Sequence, residues 1–236
     1  MFISRIAELN IKFLNKYKTL YLANENFIVN TEDYDITISV SDDEILNERN
    51  KSKIIQSNGY FENICACRNL CLQFAYYNAF LFHSAFFRVE NRGIALAARS
   101  GTGKTTHLML WKNLLNDELV IINGDKPIFR RINNKFIGYG TPWCGKEHYG
   151  ANICAPITDI CFIKRNEINY VQRLEKNEAL NLIMQQIFLP YDRKAMQNVL
   201  SELKLFIEQC NLWSIYCNTD IDAARIAYDS IIKNKS

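Results

Sequence analysis

The chain has 236 residues, 48% hydrophobic and 22% charged, with a formal net charge of +3. That balance supports a folded core and excludes a disordered chain, and no run of like charge is long enough for a nucleic-acid arm or a basic membrane-binding helix. Arg5 and Glu8 interrupt the apolar stretch an export signal needs, and no long uncharged apolar segment follows, so the expectation is a cytoplasmic protein with neither a nucleic-acid nor a membrane partner.

The first part of the chain, 1–62, reads as a β-rich portion, with strands expected over 20–29 and 35–40, the second alternating Ile36, Ile38 and Val40. Residues 42–57 are polar and read as loop or helix. Over 63–80 the apolar residues Leu70, Phe74, Tyr77 and Leu81 recur at helical spacing. Cys65, Cys67 and Cys71 fall on this helix. Only 67 and 71 share a face and no second ligand pair accompanies them, so they read as core thiols rather than a metal site. The other cysteines sit mostly in apolar runs and read as reduced.

The second part, 63–236, alternates strands and helices from residue 94 onward, which implies an α/β sheet. Strands are expected over 81–89 and 94–98 around the turn Glu90-Asn91-Arg92-Gly93, and a helix over 105–115. A buried parallel strand over 119–122 follows, then a hairpin of 128–132 and 135–139 about Asn133-Asn134. The remaining elements are a strand over 157–163, helices over 176–187 and 193–209, a strand over 212–217, and a last helix to 232 capped by Thr219-Asp220.

Between the strand ending near Ala98 and the helix beginning near Thr105 lies Ala98-Arg99-Ser100-Gly101-Thr102-Gly103-Lys104-Thr105-Thr106. A glycine-rich turn there points successive backbone N–H groups inward, and the helix N-terminus adds partial positive charge, which together bind phosphate. Gly101 and Gly103 supply the permissive backbone, Lys104 reaches the terminal phosphates, and the Thr105 hydroxyl suits a Mg²⁺ ion that bridges them. Ser100, Thr102 and Thr106 complete the phosphate-binding set. Ala98 stands where the strict pattern has its first glycine. Chance would place Gly-x-Gly-Lys-[Ser/Thr] in roughly one percent of chains this long.

Such a loop needs an acid near the metal, usually at the end of a neighbouring apolar strand. Asp125, after Leu119-Val120-Ile121-Ile122-Asn123-Gly124, fills that position and is the candidate metal ligand or proton acceptor. A hairpin closed by Asn91-Arg92 would set His83 opposite residue 100, beside the phosphate loop. In Gly140-Thr141-Pro142-Trp143-Cys144-Gly145-Lys146-Glu147, Lys146 is a candidate phosphate contact and Glu147 a substrate or metal contact, against the alternative of a surface turn. Arg130 and Arg131 point to opposite faces of one strand, so at most one faces the site.

A histidine-bearing strand, a hairpin into Ser-Gly-Thr-Gly-Lys-Thr-Thr and an Asp-Lys ending the next strand resemble the HPr kinase/phosphorylase and phosphoenolpyruvate carboxykinase superfamily, over residues 63–232. The chain looks most like its short branch, some members of which accompany modified-peptide biosynthesis. His83-Ser84, 100–106 and Asn123-Gly124-Asp125 correspond to the motifs of that branch. The chain departs from HPr kinases in carrying Thr106 where they have an acid and a single Asp125 where they have paired aspartates.

The resemblance implies a phosphoenolpyruvate-carboxykinase-like P-loop kinase core, a mixed sheet with flanking helices. It also implies an ATP- (or GTP-) and Mg²⁺-dependent kinase acting on a serine-type hydroxyl of a peptide or protein, with Asp125, His83 and Lys104 in catalysis. A non-catalytic nucleotide-binding module and a small-molecule kinase, for free serine for example, stay open beside it. So does a homo-oligomeric state.

Overall fold

In the computed structural model, residues 1–99 and 101–233 are described. The N-terminal portion opens on a hairpin of β1 (Phe2–Ile6) and β2 (Leu9–Leu14), whose turn residues Ala7 and Glu8 both adopt positive φ (52° and 61°). Two-residue turns of this kind match the twist of the flanking strands. The sequence reading missed this hairpin and placed a strand over 20–29. That segment instead forms α1 (Lys18–Ala23) and a 3-10 turn, Glu25–Phe27. Leu20 and Phe27 reach the core seven residues apart, and buried Asn24 donates its side-chain amide to Leu20 O at 2.9 Å, a local bond that competes with a strand ladder.

β3 (Ile36–Ser39) pairs parallel with β2 and completes a three-stranded sheet. α2 (Asp42–Lys51) starts on a capping box: Ser41 Oγ accepts from Glu44 N, and Glu44 Oε2 accepts from Ser41 N. α3 (Asn58–Phe74) begins five residues before the expected helix and ends six residues earlier, where the chain turns through Asn78 at φ 54°. It buries Cys65, Cys67 and Cys71 with Phe61, Leu70 and Phe74 against the small sheet.

The main sheet is mixed. Its strands are β4 (Ala79–Leu81), β5 (Ser84–Val89), β6 (Arg92–Ala97), β7 (Leu119–Asn123), β8 (Ile128–Ile132), β9 (Lys135–Tyr139), β10 (Cys154–Arg165), β11 (Tyr170–Arg173) and β12 (Asn211–Cys217). The order is β4-β8-β9-β10-β6-β5-β7, with β12 also on β10 and β11 on β12. β12, β10 and β6 lie parallel side by side. Their carboxyl ends come together, the place where open α/β sheets bind ligands.

Two findings correct the strand expectations. β7 does not pair parallel with a neighbour; among the described strands it pairs with β5, antiparallel, and Asn123 forms a single antiparallel bridge to Gly150 on its other edge. α4 (Lys104–Leu115) carries the chain from β6 across β5, so β6 and β7 run in the same direction on either side of it. The β5–β6 hairpin also turns one residue earlier than expected, on Glu90-Asn91, which moves every cross-strand partner by two. Val89 faces Arg92 and Ser84 faces Ala97, with Glu90 at φ 52° in the turn, so one further step sets His83 level with Ala98.

Alternate residues of the sheet serve two cores. Phe87, Leu96, Cys161 and Ile163 face α4 and α7 (Ile221–Tyr228), whereas Phe86, Ala95, Ala97, Ile160 and Phe162 face α5 (Lys176–Met184) and α6 (Arg193–Gln209). Phe206 of α6 packs on Phe80, Phe129 and Phe136 with ring centroids 5.0–5.3 Å apart. At the amino end of β6 the fully buried Asp159 accepts from Arg92 (2.7–3.0 Å), Trp213 Nε1 (2.9 Å) and Thr158 Oγ1 (2.7 Å). This clamp ties β6, β10 and β12 together away from their carboxyl ends. No helix among the described residues is long and apolar enough to cross a membrane.

Candidate functional site

Beyond β6 the chain makes the glycine turn, with Gly101 at φ 77° and Gly103 at φ 117°, conformations that only glycine adopts without strain. Gly103 occupies the N-cap of α4, so the free N–H groups of the first helical turn open at Lys104, Thr105 and Thr106. Arg165, at the end of β10, donates to Gly101 O (2.5 Å) and Thr102 O (3.0 Å). That guanidinium braces the turn from outside. Ser100 lies outside the described residues.

Opposite the turn stands Asp125. Its Oδ1 is 3.0 Å from His83 Nε2 and 3.4 Å from Lys104 Nζ, and its Oδ2 is 2.5 Å from Lys126 Nζ. Burial opposes its ionisation, but the hydrogen bonds from His83 and Lys126 and the charges of Lys126 and Lys104 prevail and hold its carboxyl well below the usual carboxylate range. Burial draws the Lys104 ammonium below its ordinary value, with Asp125 offsetting part of that; for Lys126, burial is outweighed by Asp125 and the value rises. The cluster is an anion held by three nitrogen groups.

Backbone geometry sets each of these side chains. β4 ends at Leu81 and β5 starts at Ser84, and in the break between them His83 N donates to Gln186 O (2.7 Å) while Ser84 N donates to Asp125 O (3.1 Å). The strand expected over 81–89 is thus two strands, and the break is what turns His83 toward Asp125. Asn123, wholly buried, accepts from Asp125 N (2.9 Å) and Lys126 N (2.7 Å). It therefore shapes the turn that presents Asp125 rather than supplying a ligand.

His83, Gly101, Gly103, Lys104, Thr105, Thr106, Asp125 and Lys146 all line one cleft of about 480 Å³, joined by Arg99, Glu147 and Arg165. Thr102 instead lines a neighbouring pocket of about 690 Å³ that shares Gly103, Thr106 and Arg165 with the cleft. Lys146 and Glu147 reach the cleft because Gly145, at φ 86°, folds their loop over Asp125. Neither Arg130 nor Arg131 takes part. Arg130 donates to Ala7 O and Tyr77 O, and Arg131 forms a two-pronged ion pair with Glu202 at 2.7 Å.

Sequence reasoning missed Lys126 and Arg165 as site residues. Lys126 was legible as part of Asp-Lys. Arg165 carried no local signal, since only the parallel pairing of β10 with β6 brings it to the glycine turn.

No cluster of three or more His, Cys, Asp or Glu side chains suited to a metal occurs among the described residues. The side-chain oxygens lining the cleft are those of Asp125, Glu147, Thr105 and Thr106. That set fits Mg²⁺, which keeps several waters and binds through one or two protein oxygens together with substrate phosphates.

Fold and site together define a mixed α/β protein with a glycine turn facing a half-buried acid near the carboxyl ends of parallel strands. No family model matches the chain, and no curated protein matches it. Among solved structures, the HPr(Ser) kinase/phosphatase from Coxiella burnetii is a distant match, with 10% sequence identity over 66% of this chain and 99% of that one and a TM-score of 0.35.

Proposed function

We propose that the protein is an ATP-dependent phosphotransferase that moves the γ-phosphoryl group to a serine-type hydroxyl on a peptide or protein. The observation that carries this reading is Asp125, held 3.4 Å from Lys104 Nζ and 3.0 Å from His83 Nε2 across the cleft from the glycine turn. In this reading residues 1–62 pack as a separate portion on a catalytic body of 63–236, and GTP is the alternative donor.

The N–H groups of the glycine turn and the first turn of α4 would hold the phosphates, and Lys104 would leave Asp125 for a terminal phosphate oxygen. Asp125 and Thr105 would hold Mg²⁺, which when bound offsets phosphate charge. The bond between the γ-phosphorus and the β-phosphate oxygen breaks, a bond from the acceptor oxygen to that phosphorus forms, and the hydroxyl proton passes to Asp125. An acid held so far below its usual range is a weak base. In a largely dissociative transition state the proton leaves late, so orienting the hydroxyl matters more than basicity. His83 steadies the carboxylate, and Lys126 keeps it charged when Lys104 moves.

The test uses γ-labelled ATP with a serine-centred peptide library and, separately, free serine. Label should enter peptide, and Lys104→Ala should reduce incorporation at least about 100-fold with thermal unfolding preserved. Undiminished transfer by that variant would sink the reading, and label entering free serine alone would replace the peptide acceptor with a small molecule.

A further inference from the structure

His107 stands in the first turn of α4 and is 2% exposed. Its Nε2 lies 3.1 Å from Trp111 Nε1. An indole N–H can only donate, so Nε2 is the bare nitrogen, and a neutral imidazole then carries its hydrogen on Nδ1. Burial keeps the ring neutral by pushing its pKa down to about 4. Yet Nδ1 is buried and has no hydrogen-bond partner. A donor left unmatched in the interior costs free energy and calls for an explanation.

The surroundings say what that is. His107 lines the pocket of about 690 Å³ at the carboxyl ends of β6, β10 and β12. Ile163, Ile168 and Cys217 give it apolar walls, and Thr102, Gly103 and Thr106 carry it directly into the glycine turn. The size and lining suit a flat, largely apolar ring system bearing a few acceptors. A purine offers such faces and ring nitrogens with free lone pairs, attached through a sugar to phosphates that would reach the turn.

We propose that His107 recognises the base of a purine nucleotide, its Nδ1–H donating to a ring nitrogen while the phosphates occupy the glycine turn. This rests on the nucleotide reading of that turn. Because His107 meets the base and not the reacting phosphate, it sets affinity for the nucleoside and leaves phosphate binding alone.

Calorimetric titration with ADP, GDP, CDP and inorganic tripolyphosphate separates the two readings. Gln at position 107 can still accept from Trp111 but lacks a donor where Nδ1 was; Asn supplies that donor and leaves Trp111 unmatched. His107→Gln should weaken ADP and GDP about tenfold, and tripolyphosphate and CDP much less, while His107→Asn keeps purine affinity within about threefold.

If His107→Gln binds ADP and GDP as tightly as the parent protein, or loses tripolyphosphate equally, the base assignment falls. A parent protein that binds tripolyphosphate as tightly as ADP overturns the base assignment alone; one that binds neither overturns the phosphate reading with it. Should either variant fail to fold, ¹⁵N-histidine spectra of the parent protein decide. The Nδ1–H signal of His107 should shift and exchange more slowly with ADP and not with tripolyphosphate, and an equal response to both refutes the proposal.

Discussion

Asn123 and Thr141 join the two loops that frame the cleft: Asn123 Nδ2 donates to both the carbonyl and the hydroxyl oxygen of Thr141, each at 3.1 Å, beneath the turn that carries Asp125. Replacing Asn123 with Asp keeps the acceptor for the Asp125 and Lys126 amides but turns two donors into a charge facing a carbonyl oxygen. The substitution should cost about 1–3 kcal/mol in urea unfolding and should not raise phosphotransfer. A gain in activity would show that position 123 can act as a second acid.

Asp125 is the counter-charge for Lys104 and Lys126 and the side-chain partner of His83. Asp125→Ala leaves the Lys104 and Lys126 ammonium groups without their counter-charge, and an incoming phosphate relieves them. ADP should therefore bind several-fold more tightly to this variant by calorimetry, while peptide phosphorylation falls about 100-fold or more. Parallel loss of binding and transfer would mean that Asp125 serves the fold rather than the chemistry.

Acid should destabilise the protein through His107. Unfolded His107 gains a proton below about 6.5, but the folded ring resists to about 4, so between those values the unfolded state binds more protons and stability drops as pH drops. The loss approaches about 3 kcal/mol at the low end. His107→Gln should flatten the stability curve between about pH 6.5 and 5, above the range where the carboxylates of the unfolded chain begin to protonate. An unchanged slope in the variant would refute this assignment.

Arg92→Ala strands the fully buried Asp159 carboxylate, leaving it only the donors from Trp213 and Thr158. Breaking such a pair costs about 3–5 kcal/mol, readable in denaturant unfolding. Because the clamp sits at the opposite end of β6 from the glycine turn, ADP affinity of the folded variant should stay within about twofold.

The glycine turn was legible because its requirements are local: glycine at positive φ, a strand before it and a helix after it are written in consecutive residues. Asp125 was legible for a related reason, since four apolar residues before a polar turn mark the end of a strand. The hairpin at Ala7-Glu8 was not, because neither residue favours positive φ strongly enough to announce a turn. The register that aligns His83 with Ala98 was misjudged by two residues, because Glu90-Asn91 and Asn91-Arg92 are both plausible two-residue loops and only packing chooses between them.

By itself, the sequence determined an α/β protein with a glycine-rich turn between strand and helix, a following acid and the helix that buries Cys65, Cys67 and Cys71, since composition, periodicity and short-range turn chemistry act over a few residues. Tertiary structure decided the rest. It placed β7 antiparallel beside β5, broke the strand at His83, brought Lys126 and Arg165 to the site, and left His107 with one ring nitrogen satisfied and the other unmatched. Those outcomes depend on pairings between segments tens of residues apart, and no local pattern carries the register or the burial that fixes them.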